Sequence, residues 1–363
     1  MKPVSLVKLD TIMSDASKAN AAGPVDEHGR PITALALMSG GLDSRLAAAL
    51  MLEQGVRVVA LHFDSVFCHA PAPGARSEAE KACTALGIEL VRVPFNDRLI
   101  PLVKDPPHGH GKNMNPCIDC RIAEFRLARQ YMDTLGARFF VTGEVVGQRP
   151  MSQRLEAMRL IEREAGVEGY VLRPLSAKLL PPTVPEQKGW VDRGKLQAIS
   201  GRSRKPQIEL AERLGITEYP GSAGGCLLTD EGFACRVYEL IAHTPEANER
   251  DFELLKLGRH YRLPSGAKAI VGRNETENNR IEAIAQAGDV LLERDDTVGP
   301  TVLLCGACAE EDRSLAARLC VSHSKRGPSG AGAVRCQPKD GEQAREVMQV
   351  EALDQATLDS MRT

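Results

Sequence analysis

The sequence predicts an α/β fold in which a parallel-sheet domain is followed by a smaller C-terminal α+β domain. Short apolar runs alternate with amphipathic stretches between residues 31 and 235, a pattern typical of βαβ units. The run at 32–38 is almost continuously apolar, which suits a strand buried on both faces of such a sheet. After Thr229 the pattern changes to helices followed by short strands, and 363 residues are enough for two domains.

Each element is predicted from the periodicity of its apolar residues and from the turn residues beside it. The strands of the first domain are predicted at 32–38, 57–63, 88–93 and 138–142. Its helices are predicted near 45–54, 75–86, 118–135, 151–165 and 205–214. The C-terminal helices are predicted near 230–242, 245–257 and 275–287, and the strands near 259–272, 289–293 and 301–305. The Gly/Ser-rich segment 325–332 is predicted to be a loop. We divide the chain into an N-terminal arm (1–30), a catalytic domain (31–235) and a C-terminal domain (245–345).

Composition narrows the functional classes. The net charge is only −2, so the chain as a whole carries no basic field for nucleic acid, although a local patch could still bind it. No apolar run approaches the roughly 20 residues that cross a bilayer, and the first 30 residues contain no apolar core of a secretory signal. We therefore expect a cytoplasmic protein without membrane partners. We therefore expect its ten cysteines not to form a disulfide framework, and they are candidates for chemistry.

The most informative motif is Ser39-Gly40-Gly41-Leu42-Asp43-Ser44, preceded by Met38. It lies directly between a buried strand and an amphipathic helix. Adjacent glycines let backbone N–H groups approach a polyphosphate, and the helix N-terminus adds the positive end of its dipole. Asp43 can orient Mg²⁺ or cap the helix. Because the Gly-Lys-Ser/Thr of a Walker loop is missing, the motif does not imply transfer of the γ-phosphate. We call residues 39–44 the phosphate loop.

This motif resembles the PP-loop signature of the adenine-nucleotide α-hydrolase superfamily. The resemblance implies binding of ATP and Mg²⁺, cleavage between the α and β phosphates, and transfer of AMP to an acceptor. It also implies that Met38 and the phosphate loop contact ATP, together with His62 and Asp64 after the second strand and Gly143 after the fourth. Thr142-Gly143-Glu144 departs from the Thr-Gly-His of many tRNA thiolation enzymes, so no role is carried over to Glu144.

Two cysteine segments extend the resemblance. Asn115-Pro116-Cys117-Ile118-Asp119-Cys120 begins a predicted helix, and Gly224-Gly225-Cys226 lies in a glycine-rich loop. Over residues 31–230 this placement is similar to that of tRNA 2-thiouridylases and 4-thiouridine synthetases. The resemblance implies that a uridine carbonyl is adenylated and then replaced by sulfur, with Cys117 and Cys226 as catalytic residues beside Asp43. The partners would be tRNA and a sulfur donor, either a cysteine desulfurase or inorganic sulfide.

Three states of these cysteines fit the sequence. Cys117 or Cys226 could carry a persulfide that the other resolves. Cys117, Cys120 and Cys226 could instead ligate three irons of a [4Fe–4S] cluster, which the additional Cys120 favours. A zinc site would need a fourth ligand, for which Cys68, His108 and His110 are candidates. Cys305 and Cys308 follow an apolar run, and we interpret them as small buried hydrophobic residues.

RNA contacts are predicted in two places. The segment 187–208 is rich in basic residues. The predicted phosphate contacts are Lys195, Arg202, Arg204 and Lys205 in this segment, together with Arg149 earlier in the chain. Ala269 to Asn274, Asn278, Asn279 and Gly299 to Thr301 resemble the NFACT-R domain, which implies a C-terminal RNA-binding module. Two other functions remain open. One is sulfur or nitrogen insertion into a small molecule or carrier protein; the other is nucleotide sensing by an RNA-binding protein without catalysis.

Overall fold

A computed structural model describes residues 23–69, 74–221, 225–306, 308–324, 330–339 and 346–363. Residues 1–22 of the predicted arm lie outside the described residues, and the chain is first described at a turn closed by a bridge between Val25 and Pro31. Two compact units are distinguished. The first contains the chain up to His62, Glu78–Val91 and Phe125–Pro220, and the second contains Phe63–Ser77, Arg92–Glu124 and Gly221–Thr363.

The N-terminal sheet matches the predicted α/β fold. Its strands among the described residues are β1 (Thr33–Leu37), β2 (Arg57–Asp64), β3 (Glu89–Pro94), β4 (Ala137–Thr142) and β5 (Val171–Leu172). They lie in the order β3-β2-β1-β4-β5, and β1 pairs in parallel with both β2 and β4. Chain order therefore reverses beside β1, and ligands of such sheets bind at the carboxyl ends of the strands at this point.

The helices of this part of the chain are α1 (Leu42–Leu52), α2 (Glu78–Leu86), α3 (Asn96–Lys104), α4 (Cys117–Leu135), α5 (Leu155–Ala165), α6 (Val184–Gln187) and α7 (Lys205–Arg213). Burial of both faces of β1 explains why its sequence is almost continuously apolar. All five of its residues are buried, and Ala34 and Ala36 pack in one cluster with Leu46 of α1 and Phe139 of β4. Fully burying a side chain such as Leu46 contributes about 1.5–3 kcal/mol, so α1 is held firmly on the sheet.

The C-terminal part, which belongs to the second unit, is an α+β fold. Its helices are α8 (Glu231–His243), α9 (Glu249–Leu254), α10 (Glu275–Ile284), α11 (Glu310–Ser322) and α12 (Gln355–Met361). Its strands are β6 (Arg259–Arg262), β7 (Lys268–Val271), β8 (Val290–Arg294), β9 (Val302–Cys305), β10 (Ala331–Pro338) and β11 (Glu346–Glu351). Among the described residues they form one sheet in the order β11-β10-β8-β9-β7-β6, with antiparallel pairing.

Alternating burial gives this sheet two covered faces. Val271 and Val302 pack in one cluster with Leu319 of α11, whereas their neighbours Ile270 and Leu303 pack in another. This is the two-residue period of a strand.

The predicted loop at 325–332 was partly wrong: residues 325–329 lie outside the described residues, and residues 331 and 332 begin β10. The helices α3, α6, α11 and α12 and the strands β5, β10 and β11 were not predicted from the sequence.

Within the described residues, no helix is both long and apolar enough to span a membrane.

Candidate active site

The phosphate loop lies where the sheet predicts a ligand site. It follows the carboxyl end of β1, and α1 begins within it at Leu42. The neighbouring strand β4 ends at Thr142, so Gly143 follows at the same edge. Both positions belong to the first unit, as does His62. The fold therefore brings the predicted nucleotide-binding residues of β1 and β4 to the point where chain order reverses.

Close backbone packing fixes the shape of the phosphate loop. Gly40 has a φ of +81°, and a Cβ added there would lie 2.4 Å from the backbone N of Ala79. A Cβ on Gly143 would lie 2.4 Å from the backbone carbonyl carbon of Asp43. Only glycine fits both positions without moving the backbone. The hydroxyls of Ser39 and Ser44 are 3.2 Å apart, and Ser44 Oγ donates to the Gly41 carbonyl at 2.9 Å.

Arg45 holds the phosphate loop from inside the protein. Arg45 is only 3% exposed, and its guanidinium donates to the carbonyls of Gly40 at 2.9 Å and Glu218 at 2.5 Å. It also forms an ion pair with Glu78 at 2.9 Å. The charge of Arg45 is thus satisfied by the protein, so its role is to position the loop. Arg45 was not predicted from the sequence, although a cation directly after the motif was the available signal.

Asp43 is the acidic group of the loop. Burial raises the pKa of its carboxyl, while a hydrogen bond from Gln148 and the positive charges of Arg204 and Arg149 act in the opposite direction. Gln148 Nε2 donates to Oδ2 at 3.0 Å. Oδ1 is shielded from solvent and has no hydrogen-bond partner among the described residues. A buried carboxylate oxygen without a partner is costly, and a bound cation would remove that cost.

Gln207 is a second residue that the sequence analysis did not identify. It lies near the N-terminus of α7, is completely buried, and has no hydrogen-bond partner for either amide atom among the described residues. It is close enough to Asp43 to lower the pKa of that carboxyl. Nothing in its sequence context marks it, because its position follows from the packing of α7 on α1.

The other predicted nucleotide contacts have defined partners. Met38 donates its N–H to the Leu61 carbonyl at 2.8 Å, and its own carbonyl lies 2.7 Å from His62 Nδ1. His62 is therefore fixed beside the start of the phosphate loop. Asp64 belongs to the second unit, where its carboxylate forms an ion pair with Arg92 at 2.6 Å.

The contacts of Glu144 account for a glutamate at the position where the Thr-Gly-His motif has a histidine. It is 5% exposed and accepts a hydrogen bond from Arg173 Nε at 3.0 Å and from the Thr142 hydroxyl at 3.1 Å. Arg173, itself 3% exposed, also forms an ion pair with Glu162. Glu144 thus balances a buried arginine, a structural role in the first unit.

The basic residues predicted to contact RNA fall into two groups. The charges of Arg149 and Arg204 reach the phosphate loop, since both lower the pKa of Asp43. Lys195, Arg202 and Lys205 are exposed, and Lys205 forms a surface ion pair with Glu209 at 4.0 Å.

Hydrogen bonds in the second unit bring the two cysteine segments together. Asn113, in the loop before α4, donates to the Thr229 carbonyl at 2.8 Å. Thr229 in turn donates its hydroxyl to the Cys226 carbonyl at 2.7 Å. Cys117 and Cys120 occupy the first turn of α4, where Asn115 Nδ2 donates to Cys117 Sγ at 3.1 Å.

The thiols of this cysteine site, defined as Cys117, Cys120 and Cys226, influence one another. Burial raises the pKa of Cys120 well above its usual value, and Glu124, Cys226 and Cys117 raise it further. Burial raises the pKa of Cys226 to about 12, with added contributions from Cys68 and Cys117. The site therefore keeps these two thiols protonated unless positive charge is supplied.

The donor set fits a thiolate-bound metal centre, because Cys sulfur is the ligand of iron–sulfur clusters and of zinc. Among the described residues, however, no group of three or more His, Cys, Asp and Glu side chains is arranged to hold a metal ion. The predicted histidine ligands have other partners. His108 Nδ1 lies 2.7 Å from Asp119, and His110 Nε2 lies 2.9 Å from the Val103 carbonyl.

Several of the residues that resemble the NFACT-R domain have structural roles. Asn278 Oδ1 accepts from the Thr301 N–H at 3.2 Å and lies 2.0 Å from where a Cβ on Gly272 would be. Asn274 caps α10 by accepting from the Glu277 N–H at 3.0 Å. Asn279, on α10, is exposed.

Cys305 and Cys308 pack against two different apolar clusters, so they serve as separate hydrophobic residues. Burial raises the pKa of Cys305 to about 12.

Two family models and several curated proteins match parts of the chain. A family described as Thiamine biosynthesis protein (ThiI) matches residues 29–178, and one described as NFACT protein RNA binding domain matches residues 258–362. The chain is 35% identical over 292 residues to the tRNA-specific 2-thiouridylase MnmA of Chloroflexus aurantiacus, covering 74% of this chain and 76% of the relative. It is 27% identical over 211 residues to the MnmA of Proteus mirabilis, covering 54% of this chain and 53% of the relative. The chain thus spans about half the length of the latter protein.

A solved structure, the U34-tRNA thiolase NcsA from Methanococcus maripaludis with its [4Fe–4S] cluster, is 18% identical to this chain. The TM-score is 0.33, with 62% of this chain and 70% of that chain covered. This similarity bears on neither the substrate nor the cofactor of the present protein.

The glycine-built loop between β1 and α1 defines a nucleotide-binding α/β protein of the PP-loop class. More particularly, the chain belongs to the PP-loop family that contains the tRNA thiouridylases, and it carries an NFACT-R domain in its C-terminal region.

Proposed function

We propose that this protein is an ATP-dependent tRNA sulfurtransferase, which adenylates a uridine carbonyl and then replaces its oxygen with sulfur. The observation that carries this proposal is the phosphate loop. Its backbone is fixed by Gly40, Gly143 and Arg45, and it presents a buried carboxylate oxygen of Asp43 without a partner. A preformed anion cradle with a vacant carboxylate oxygen is suited to a nucleotide polyphosphate and its Mg²⁺ ion.

In the first step, backbone N–H groups of the phosphate loop would bind the phosphates of ATP, and Asp43 would bind Mg²⁺. The hydroxyls of Ser39 and Ser44 lie at the same loop and would add hydrogen bonds. The uridine carbonyl oxygen attacks the α-phosphate, the bond between the α and β phosphates breaks, and pyrophosphate leaves. AMP on the former carbonyl oxygen is then a good leaving group, which the unmodified oxygen is not.

In the second step, a sulfur nucleophile would attack the same carbon and release AMP. Cys117, Cys120 and Cys226 are the residues that would hold this sulfur or its carrier. In number and chemistry, the three thiols are the donors that a [4Fe–4S] cluster with one open iron needs, and such a cluster, when bound, would supply a Lewis acid for inorganic sulfide. Asn115 would stabilise the Cys117 thiolate through its N–H donor. Without a cluster, the same cysteines would carry sulfur from a desulfurase as a persulfide.

RNA recognition is assigned to the NFACT-R domain, with Arg149 and Arg204 near the phosphate loop as candidate contacts for tRNA phosphates. The exposed Lys195, Arg202 and Lys205 would contribute longer-range attraction that weakens with salt.

The decisive experiment incubates the full chain anaerobically with Mg-ATP, sulfide and unmodified tRNA. Pyrophosphate release and the thiolated nucleoside are measured together, the latter by mass spectrometry after digestion. We expect both products, and both should require tRNA. Pyrophosphate without thiolated tRNA would favour a small-molecule or carrier-protein substrate. ATP binding without pyrophosphate would favour a nucleotide-sensing RNA-binding protein.

A second experiment separates the states of the cysteine site. Iron and acid-labile sulfide are assayed in the anaerobically reconstituted chain and in Cys117→Ser, Cys120→Ser and Cys226→Ser. Cys235→Ser is the matched control, because Cys235 is exposed on α8. A cluster predicts about four irons per chain that each site variant loses and the control keeps. Absence of iron in the reconstituted wild type would contradict the cluster and leave the persulfide route.

A further inference from the structure

Cys68 is a fourth thiol beside the cysteine site that the proposed reaction does not use. It follows β2 in a turn closed by its own N–H, which donates to the Ser65 carbonyl at 3.0 Å. The preceding Phe67 anchors this turn in the core of the second unit, with its ring centroid 5.2 Å from that of Phe252. Cys68 is therefore held by the fold and is not carried on a free loop.

The backbone places Cys68 directly opposite Cys226. The two residues form an isolated antiparallel β-bridge, and the Leu227 N–H donates to the Phe67 carbonyl at 2.9 Å. This hydrogen bond joins the residues that flank the pair, so Cys68 and Cys226 are a non-hydrogen-bonded pair. In such a pair the Cα atoms are about 4.5 Å apart and both side chains point to the same face.

That separation falls within the range of about 4.4–6.8 Å that a disulfide requires between Cα atoms. Both residues are reduced cysteines in this structure, and both are partly buried. This backbone bridge joins Cys226 to Cys68, whereas Cys117 and Cys120 lie in the first turn of α4. Cys226 thus belongs to the cysteine site and also faces a thiol outside it.

We propose that Cys68 and Cys226 form a reversible disulfide, a redox modification site that withdraws Cys226 from sulfur delivery. Oxidation by a peroxide balances in two steps. One thiol attacks a peroxide oxygen, the O–O bond breaks, and a sulfenic acid and one water form. The second thiol attacks the sulfenic sulfur, the S–S bond forms, and a second water leaves. A dithiol reductant restores both thiols.

The consequence for activity rests on the proposed function, whereas the disulfide itself does not. In the disulfide, the sulfur of Cys226 can neither ligate a metal centre nor carry a persulfide. Peroxide would thus switch the site off, and reduction would switch it on again. Cys68 would have no part in the reaction of the reduced protein.

Disulfide mapping tests this proposal without any assay of activity. The full chain is reduced, freed of metal with a chelator, treated with increasing hydrogen peroxide, alkylated with iodoacetamide and digested for mass spectrometry. We expect a linked peptide that joins Cys68 to Cys226, absent after dithiothreitol treatment and absent in Cys68→Ser. Cys235→Ser should give the wild-type map. A link from Cys226 to Cys117 or Cys120 with Cys68 still alkylated, or no link at Cys226, would overturn the proposal.

Activity then separates the two proposals. Under reducing conditions Cys68→Ser should thiolate tRNA as the wild type does, and peroxide should no longer cause a loss that dithiothreitol reverses. If wild type and variant both fail to thiolate tRNA while the linked peptide forms, the proposed function is wrong and the disulfide stands. The wild-type map is sufficient even where Cys68→Ser does not fold.

Discussion

The phosphate loop and the cysteine site reach their shapes by different means. The phosphate loop is made of backbone: two glycines without room for a Cβ, a buried arginine bound to loop carbonyls, and a helix N-terminus. The cysteine site is made of side chains on two separate segments, joined by hydrogen bonds from Asn113 and Thr229. The first is complete before its ligand arrives. The second keeps Cys120 and Cys226 protonated through burial.

This difference predicts the substitutions and chemical conditions to which each site is sensitive. A site made of backbone should fail when a methyl group is added, because its shape depends on close packing. A site made of thiols should respond to oxidation, to metal and to neighbouring hydrogen-bond donors, while single methyl groups nearby matter less. Each prediction below tests one side of this contrast, beginning with the largest effect.

The largest effect is expected from Gly143→Ala. The new Cβ would lie 2.4 Å from the Asp43 carbonyl carbon, so the phosphate loop has to move. Because displacements of about 1 Å can cost about 100-fold in rate, ATP-dependent pyrophosphate release should fall about that much. Gly221→Ala is the matched control, since a Cβ there would meet no atom of the described residues within 4 Å. Equal rates for Gly143→Ala and the wild type would show that the loop is not held by this contact.

The next effect is on stability and concerns the buried ion pair beside the loop. Glu144→Gln leaves Arg173 with one carboxylate partner fewer at a position that is only 3% exposed. Breaking a buried pair costs about 3 kcal/mol, which urea unfolding would detect. Glu209→Gln, which removes an exposed pair, should change stability by less than about 0.5 kcal/mol. A similar cost in both variants would mean that Glu144 does not balance Arg173.

On the other side of the contrast, Asn115→Asp should weaken the cysteine site. The substitution replaces the N–H donor to Cys117 Sγ with a carboxylate oxygen of the same shape. A hydrogen bond to a charged group contributes about 1.5 kcal/mol, so alkylation of Cys117 should slow about tenfold. Asn248→Asp is the control, because an aspartate there can still cap α9. An unchanged alkylation rate would show that Asn115 does not stabilise the thiolate.

These two sites also differ in how far the sequence reveals them. The phosphate loop is a continuous motif between a strand and a helix, so its position and its environment could be predicted together. The strands β1 to β4 were predicted to within two residues for the same reason, since each has a clear apolar run. Arg45 and Gln207 could not be predicted in this way. Arg45 contacts Glu218 and Gln207 lies beside Asp43, and both arrangements depend on packing between segments that are distant in the sequence.

The cysteine site shows the opposite case. Spacing indicated Cys117, Cys120 and Cys226 as a group, but the side chains that bring them together are Asn113 and Thr229, which carry no motif. Cys68 appeared only as a candidate zinc ligand, and its pairing with Cys226 comes from an isolated bridge that no periodicity predicts. Among the missed elements, β10, β11 and α12 overlap or follow the Gly/Ser-rich segment, where local signals are weak. The missed helix α11 lies before that segment and has 13 residues.

The smallest effect on stability is expected in the phosphate loop, and its sign is opposite to that of Glu144→Gln. Burial raises the folded-state pKa of Asp43, so the charged carboxylate destabilises the fold above that pKa and has no such effect below the unfolded value. Asp43→Asn should therefore raise Tm by roughly 1–3 °C at neutral pH and leave it unchanged in acid. The same variant should lose Mg-ATP-dependent pyrophosphate release, because an amide cannot replace the carboxylate at the cation. A lower Tm at neutral pH would show that Asp43 stabilises the empty loop, and the vacant Oδ1 would then not mark a cation site.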